Sequence, residues 1–384
     1  MNIANDIKCI GVNDREIRLF EAQFTTPNGM AYNSYAIIDE KIAVIDGVEK
    51  GFTAEWLDNI ENALEGKAPD YFLVQHMEPD HSSSIMAFAE KYPNATVVSS
   101  AKAFGMMKTF YDADFSDRQL TVTDGSELNL GKHTLKFIAA PMVHWPEVIM
   151  TYDCTDNVLF SADGFGKFGT TDTDEDWACE ARRYYFGIVG KYGAQVQSVL
   201  KKVTGLDIKA ICPLHGPVLT ENVGYYINLY DIWSSYRPES EGVVIAYTSV
   251  YGHTEKAAEL LKEKLIAEGC KKVTVTNLVT DDMAEAVEDA FRYPTLVLAS
   301  TTYNAGVFPK MKEFIDHLVE RNYQNRTIAL IENGSWAPMA AKTMKLMFEK
   351  SKDIVFSDTE VKIISALDQD STAKIEELAK ELCK

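Results

Sequence analysis

The stretch Tyr71–His81, YFLVQHMEPDH, opens on apolar residues and closes on four potential metal donors, His76, Glu78, Asp80 and His81. A short apolar run that gives way to a polar loop predicts a buried strand, Tyr71 to Val74, ending in that loop. The same pattern recurs along the first half of the chain. His144 stands in PMVHWPE after the apolar run Thr134 to Ala139, Asp163 in LFSADGFG, and His215 in ICPLHGP after Ala210 to Cys212. Four of the seven histidines occupy such loops, leaving His133, His253 and His317 without comparable company. A single loop histidine is most often a turn or surface residue. Seven donors at strand ends are a different matter, because two divalent first-row metals need about five to seven protein donors, imidazoles and carboxylates among them, if positions are to stay open for chemistry.

Working outward, the runs Tyr35 to Ile38 and Ile42 to Ile45 also read as strands, and an amphipathic stretch from Asp174 towards Leu200 reads as a helix. This mixture predicts an α+β sandwich. From Gly242 the rhythm becomes regular. GVVIAYT, KVTVTNL, TLVLAS, TIALIE and VKIISAL are buried-strand candidates, each followed by helical periodicity, which predicts an α/β doubly wound parallel sheet. The polar, proline-bearing segment SSYRPESEG interrupts both patterns, so the expected domains are residues 1–238 and 242–384.

The second half carries its own constellation. TSVYGHTEKAAELL places Thr248, Ser249, Tyr251, Gly252, His253 and Thr254 between a strand and a helix. Hydroxyls and free amides at a helix N-terminus suit a phosphate, and His253 either caps that helix or contacts the phosphate. In a doubly wound fold the ligand lies beyond the C-terminal strand ends. There TLVLAS runs into Thr301, Thr302, Tyr303, Asn304, Ala305 and Gly306, and TIALIE into Asn333, Gly334, Ser335 and Trp336. Tyr303 and Trp336 are the candidates for stacking on a flat ring. No GxGxxG follows a strand, which argues against a dinucleotide.

Composition narrows the rest. A formal charge of −19 disfavours nucleic acid and anionic membranes as partners. The first residues show no basic cluster followed by an apolar run, so neither a secretory signal nor a membrane span is expected, and the expected location is cytoplasmic. Six cysteines without a CxxC pair argue against a disulfide framework, and they are expected to be reduced and mostly buried.

HMEPDH, HWP at His144, the aspartate of SADGFG and the HG at His215 resemble the metal-site motifs of flavodiiron proteins, members of the metallo-β-lactamase superfamily. The resemblance implies a metallo-β-lactamase-like αββα sandwich joined to a flavodoxin-like domain. It implies one iron on His76, Glu78 and His144, a second on Asp80, His81 and His215, and Asp163 bridging. Related zinc hydrolases usually carry HxHxDH, whereas Glu78 here favours a harder, redox-active iron. Glu21 and Phe168 stand where some members have histidines near the pocket. Tyr185 is a candidate for placing a hydroxyl near the substrate, with Tyr184 beside it, against the plainer reading of aromatic packing.

The three loops of the second half resemble flavodoxin, so FMN is the expected cofactor. The implied activity is reduction of dioxygen to water, of nitric oxide to nitrous oxide, or of both. Electrons would come from a separate rubredoxin or similar small donor, since no four-cysteine module appears in the chain. A head-to-tail homodimer or a dimer of dimers is implied as well. The rival readings are a zinc metallohydrolase fused to a flavodoxin-like domain and an electron-transfer flavoprotein with an inert N-terminal scaffold.

Overall fold

The computed structural model describes residues 2–4 and 6–383. The chain divides into two compact units, Met1–Asp231 and Ile232–Lys384, with the helix Val223–Ser234 running across the division.

The first unit is built on two sheets. One has seven strands in the order Asn2–Ala4, Ile7–Cys9, Tyr35–Ile37, Ala43–Ile45, Tyr71–Leu73, Thr96–Ser99 and Gln119–Thr121, antiparallel at first and parallel from Ala43–Ile45 onward. The other has five, Glu127–Asn129, Thr134–Ala139, Ile149–Asp153, Val158–Phe160 and Ala210–Cys212. Side chains alternate across a strand, and here both faces of the first sheet are used. Leu73 joins Tyr35, Ile45 and Val98 against Phe137, Ile149 and Phe160 of the second sheet, forming the core between them. Phe72 points the other way. Its ring stacks at 4.1 Å on Phe88 of the helix Ile85–Lys91 and lies 6.0 Å from Trp56 of the helix Thr53–Leu64. The helix Gly193–Val203 packs on Thr134–Ala139 of the second sheet. Helix, sheet, sheet and helix make the αββα sandwich.

The expected helix from Asp174 towards Leu200 is broken into four pieces. An α-helix Trp177–Tyr184 passes into a π-turn Tyr185–Val189 and a 3₁₀ turn Gly190–Tyr192 before the helix Gly193–Val203 begins. Gly187, Gly190 and Gly193 interrupt the run, and a Cβ on Gly187 would stand 2.8 Å from the Phe24 ring. The backbone there comes as close to that ring as glycine allows.

In the second unit the parallel strands lie in the order Val273–Asn277, Val243–Tyr247, Thr295–Tyr303, Arg326–Asn333 and Ile354–Phe356, and Val361–Ile363 also pairs with Arg326–Asn333. Helices His253–Ala267 and Gln369–Leu382 cover one face through Leu261, Leu265, Ile375 and Leu378. Met283–Arg292 and Pro309–Glu320 pack on the sheet as well. The strand Ile354–Phe356 is too short and too exposed to register as a buried run in the sequence.

The cysteines depart from expectation. Cys270 and Cys383 are joined by a disulfide with their Cα atoms 5.6 Å apart, and of the remaining four only Cys212 is buried. The helices His253–Ala267 and Gln369–Leu382 lie side by side, which brings together two residues 113 positions apart. No spacing rule connects positions so distant. Among the described residues no helix is long and apolar enough to cross a membrane.

Phe72→Ala empties the space between the first sheet and its covering helices, a loss of about 3–5 kcal/mol for a buried phenylalanine. Urea denaturation followed by circular dichroism checks this as an earlier midpoint for the first unit.

Candidate metal centre and flavin pocket

Strand ends deliver the predicted metal donors. Beyond Tyr71–Leu73 the chain is held by Asp46, whose Oδ1 accepts the backbone N–H groups of Gln75 at 2.8 Å and His76 at 3.3 Å. Gln75 then reaches across to the second sheet, where its Nε2 donates to the carbonyls of Ile149 and Phe160. Pro79 opens a single helical turn, Pro79–Ser82, which turns Asp80 and His81 inward. Asp163 follows the strand Val158–Phe160 in a loop fixed by Ser161 Oγ donating to the Gly164 carbonyl and Phe165 N–H donating to the Tyr230 hydroxyl. His215 follows Ala210–Cys212, and its Nδ1 donates to the Ala31 carbonyl at 2.8 Å.

All seven predicted donors come together, in two groups. In the first, His144 Nε2 lies 2.9 Å from Glu78 Oε2 and 3.0 Å from Asp163 Oδ2, with His76 Nε2 at 3.3 Å from each of those oxygens. In the second, Asp80 Oδ2 lies 3.4 Å from His81 Nε2 and 3.3 Å from His215 Nε2, and the two imidazole nitrogens face each other at 3.1 Å. Asp163 turns Oδ2 to the first group, while its Oδ1 lies 4.0 Å from His81 and 3.8 Å from His215. Donors held about 2.1 Å from one ion stand about 3–3.4 Å from each other, which is the spacing within each group. Both oxygens of Asp163 and of Asp80 are buried without a hydrogen-bond donor of good geometry. Leaving buried carboxylates unsatisfied is costly, and two cations satisfy them, so the residues fit a dinuclear metal site.

Charge coupling within the pocket is strong. Burial pulls the His144 imidazole down, but Asp163 and Glu78 beside it more than reverse this and raise it to about 9. Burial likewise opposes ionisation of Asp163, and His76 and His144 overcome it to hold the carboxyl well below its usual range. Asp46, wholly buried, is pushed up to about 7. On the rim Glu21 is raised to about 7 by partial burial and by the Glu78 carboxylate.

Tyr185 is buried, with its ring 5.1 Å from Tyr230. Its neighbour faces the donors instead: the Tyr184 ring lies 5.5 Å from His215, and burial followed by Asp163, Glu78 and Asp80 raises its hydroxyl well above the usual range. Successive helical residues point about 100° apart, and the sequence does not say which of the pair looks in. Phe168 sits in an aromatic cluster with Phe24 at 5.5 Å, Tyr184 at 5.2 Å and the Arg183 guanidinium over its ring at 4.4 Å. Sequence reasoning missed Asp46 and Glu147. The latter, three residues past His144, accepts from His76 Nδ1 at 2.9 Å. Asp46 directly follows the strand Ala43–Ile45 and Glu147 sits in the same loop as His144, but nothing in the chain distinguishes them from surface carboxylates.

In the second unit three loops enclose a cavity of about 780 Å³. Ser249, Tyr251, His253, Thr254, Thr301–Ala305 and Asn333–Trp336 line it, together with Val250, Ala337, Met339 and Ser365, which the sequence did not flag. Thr248, Gly252 and Gly306 are not in the lining. Thr248 Oγ1 pairs with Ser300 Oγ at 2.9 Å, Gly252 takes a φ of +84° where the helix His253–Ala267 begins, and Gly306 pairs with Tyr303 as the chain folds back. The lining joins a helix N-terminus and hydroxyls to the aromatic rings of Tyr303 and Trp336, which fits a flavin mononucleotide in both size and chemistry.

Metal binding must displace the proton that His144 holds below about 9 and the one held by His76, which is also raised well above its usual range, so the affinity of the metal-free protein for ferrous iron rises with pH by at least about tenfold per unit up to that value. Anaerobic calorimetric titrations at several pH values measure the slope. A flat profile between neutrality and pH 9 would contradict it.

Residues 30–216 match the ODP family beta lactamase domain and residues 244–360 a flavodoxin domain. The nitric oxide reductase of Moorella thermoacetica is 29% identical over 91% of this chain and 90% of its own length, and an uncharacterized protein of Methanocaldococcus jannaschii is 28% identical over 100% and 98%. Among solved structures, the flavodiiron protein of Giardia intestinalis superposes with a TM-score of 0.91 at 26% identity over 99% of this chain and 95% of its own. The rubredoxin oxygen:oxidoreductase of Desulfovibrio gigas, at 24% identity, shares the fold with a TM-score of 0.92 over 100% and 97%. A likeness in one half would leave the pairing of domains unexplained, but these run the length of both chains with both domains in the same order. The chain belongs to the flavodiiron proteins, a family of oxidoreductases.

Proposed function

We propose that this chain reduces dioxygen to water, nitric oxide to nitrous oxide, or both, using electrons that an external rubredoxin-type donor passes through FMN to a diiron centre. The observation that carries the reading is Asp163, a buried carboxylate with one oxygen turned to each of two donor groups, in the same chain as a flavin-sized pocket. His76, Glu78 and His144 would hold one iron and Asp80, His81 and His215 the other. When bound, the irons and the flavin supply reversible one- and two-electron chemistry, and together they can store the four electrons that dioxygen needs, where coupling two nitric oxides needs two.

The remaining tasks fall to the chain's own residues. Asp46 and Gln75 fix the loop that carries His76, so the donors are preorganised and not gathered by the metal. Phe20, Phe168 and Tyr184 wall the His215 side with aromatic surface and limit water there. In the second unit Ser249, Thr254 and the helix N-terminus would hold the phosphate, and Tyr303 and Trp336 would flank the ring. A zinc hydrolase is not favoured: Glu78 occupies the position where that chemistry usually has histidine, and hydrolysis has no use for a flavin.

Trp336 and Tyr251 on the flavin rim are 92% and 89% exposed, with Val250 and Tyr303 beside them. Apolar surface grouped in this way favours a covering partner. It supports a head-to-tail homodimer in which one chain's flavin meets the other's metal centre.

Asp163→Ala is expected to lose both irons and all gas reduction while keeping its full FMN content. FMN-dependent oxygen consumption that persisted in this variant would overturn the reading. Anaerobic kinetics of the reduced wild type with each gas then ranks the two substrates. Light scattering coupled to size exclusion is expected to give at least a dimer at micromolar concentration, and an active monomer would contradict the head-to-tail arrangement.

A further inference from the structure

The two donor groups are alike in their own charges, with one carboxylate each beside the shared Asp163. Beyond the donors they differ. On the first side, His76 Nδ1 donates to Glu147 Oε1 at 2.9 Å, and both side chains are fully shielded from solvent. The same oxygen accepts the Met77 N–H at 2.8 Å, and Oε2 has no hydrogen-bond partner. Two more carboxylates stand on this side, Asp46 against the His76 backbone and Glu21 against Glu78.

On the second side the imidazoles are backed by neutral groups. His215 Nδ1 donates to the Ala31 carbonyl at 2.8 Å, and His81 Nδ1 faces the Gly47 carbonyl at 3.4 Å. Phe20, Tyr32 and Tyr184 surround those rings at 5.5 to 6.2 Å. Lys167, nearby in the chain, is neutralised by its own partner Glu175.

An imidazole whose far N–H is given to a carboxylate is a more basic, more anionic ligand than one that gives it to a carbonyl, and it favours the higher charge state of the metal it binds. We infer that Glu147 is a positioning residue that makes the two iron positions unequal. The iron on His76, Glu78 and His144 holds the ferric state more tightly, so the single electron of the half-reduced centre resides on the iron at Asp80, His81 and His215. This rests on the diiron reading above. The change itself is a one-electron step: the external donor, through the flavin, supplies an electron that converts one ferric ion to ferrous, with no bond made or broken in the protein.

The test compares wild type with Glu147→Gln, which removes the charge and keeps the shape, and Glu147→Asp, which keeps the charge. Iron per chain is measured first. A wild type without two irons would remove the diiron reading and leave the His76–Glu147 contact as structure only. Potentiometric titration followed by electron paramagnetic resonance then resolves the two one-electron steps of the centre.

In Glu147→Gln the ferric affinity at the first position is expected to fall by roughly 10- to 100-fold, which raises the lower of the two potentials by about 59 mV per tenfold. The steps converge and the maximum yield of the half-reduced signal drops, while Glu147→Asp keeps the wild-type separation. If Glu147→Gln binds less iron, the loss should be one ion per chain and should be restored in Glu147→Asp. Steps equally separated in wild type and Glu147→Gln, convergence that occurs equally in Glu147→Asp, or loss of both irons from Glu147→Gln would overturn the inference.

Discussion

The carboxylate of Asp163, buried between two clusters of donors with no hydrogen bond of good geometry to either oxygen, sets the terms for the first unit. Three carboxylates and four imidazoles are gathered where water is largely excluded. Without a cation this arrangement burdens the fold: His76 and His144 hold Asp163 ionised against burial, but both oxygens of Asp80 are left buried without a hydrogen bond, which is costly. The sandwich compensates in two ways. Its core between the sheets is continuous and apolar, and the donor loops are tied down by backbone hydrogen bonds to Asp46 and by the reach of Gln75 across the two sheets. The site is therefore rigid before it is charged. The metals complete an existing shape, and their binding free energy adds to the stability of the fold.

Much of this was legible in the chain because strands are short and apolar while their ends are polar and carry the chemistry. His76, His144, Asp163 and His215 each follow such a run, and the doublet of Asp80 and His81 lies one turn beyond Glu78. What stayed hidden depends on which side of an element faces inward or on partners distant in sequence. Glu147 looks like any loop glutamate until its carboxylate is seen against His76. The choice between Tyr184 and Tyr185 turns on helical phase, and the π-turn that starts at Tyr185 carries Gly187 close against Phe24. Cys270 and Cys383 meet only because their helices share a face of the sheet.

The second unit was easier to read, for a topological reason. In a doubly wound sheet the loops after neighbouring strands must converge at one edge, so Val243–Tyr247, Thr295–Tyr303 and Arg326–Asn333, which lie side by side, bring their following residues to one pocket. The predicted lining departs from the observed one mainly at residues that shape the loops without facing the cavity. Gly252 supplies a backbone angle and Thr248 a buried hydroxyl pair, while Met339 enters from the far end of the third loop and Ser365 from a segment beyond all three.

The link between Cys270 and Cys383 turns the end of the chain into a covalent ring, and the flavin pocket straddles its edge. The loops at Thr301–Gly306 and Asn333–Trp336 lie inside the ring, whereas the loop at Thr248–Thr254 lies outside it. A backbone break anywhere in the ring leaves the two pieces attached, so a nicked molecule keeps its mass until a thiol reagent opens the bridge. A break in that outer loop has no such tether.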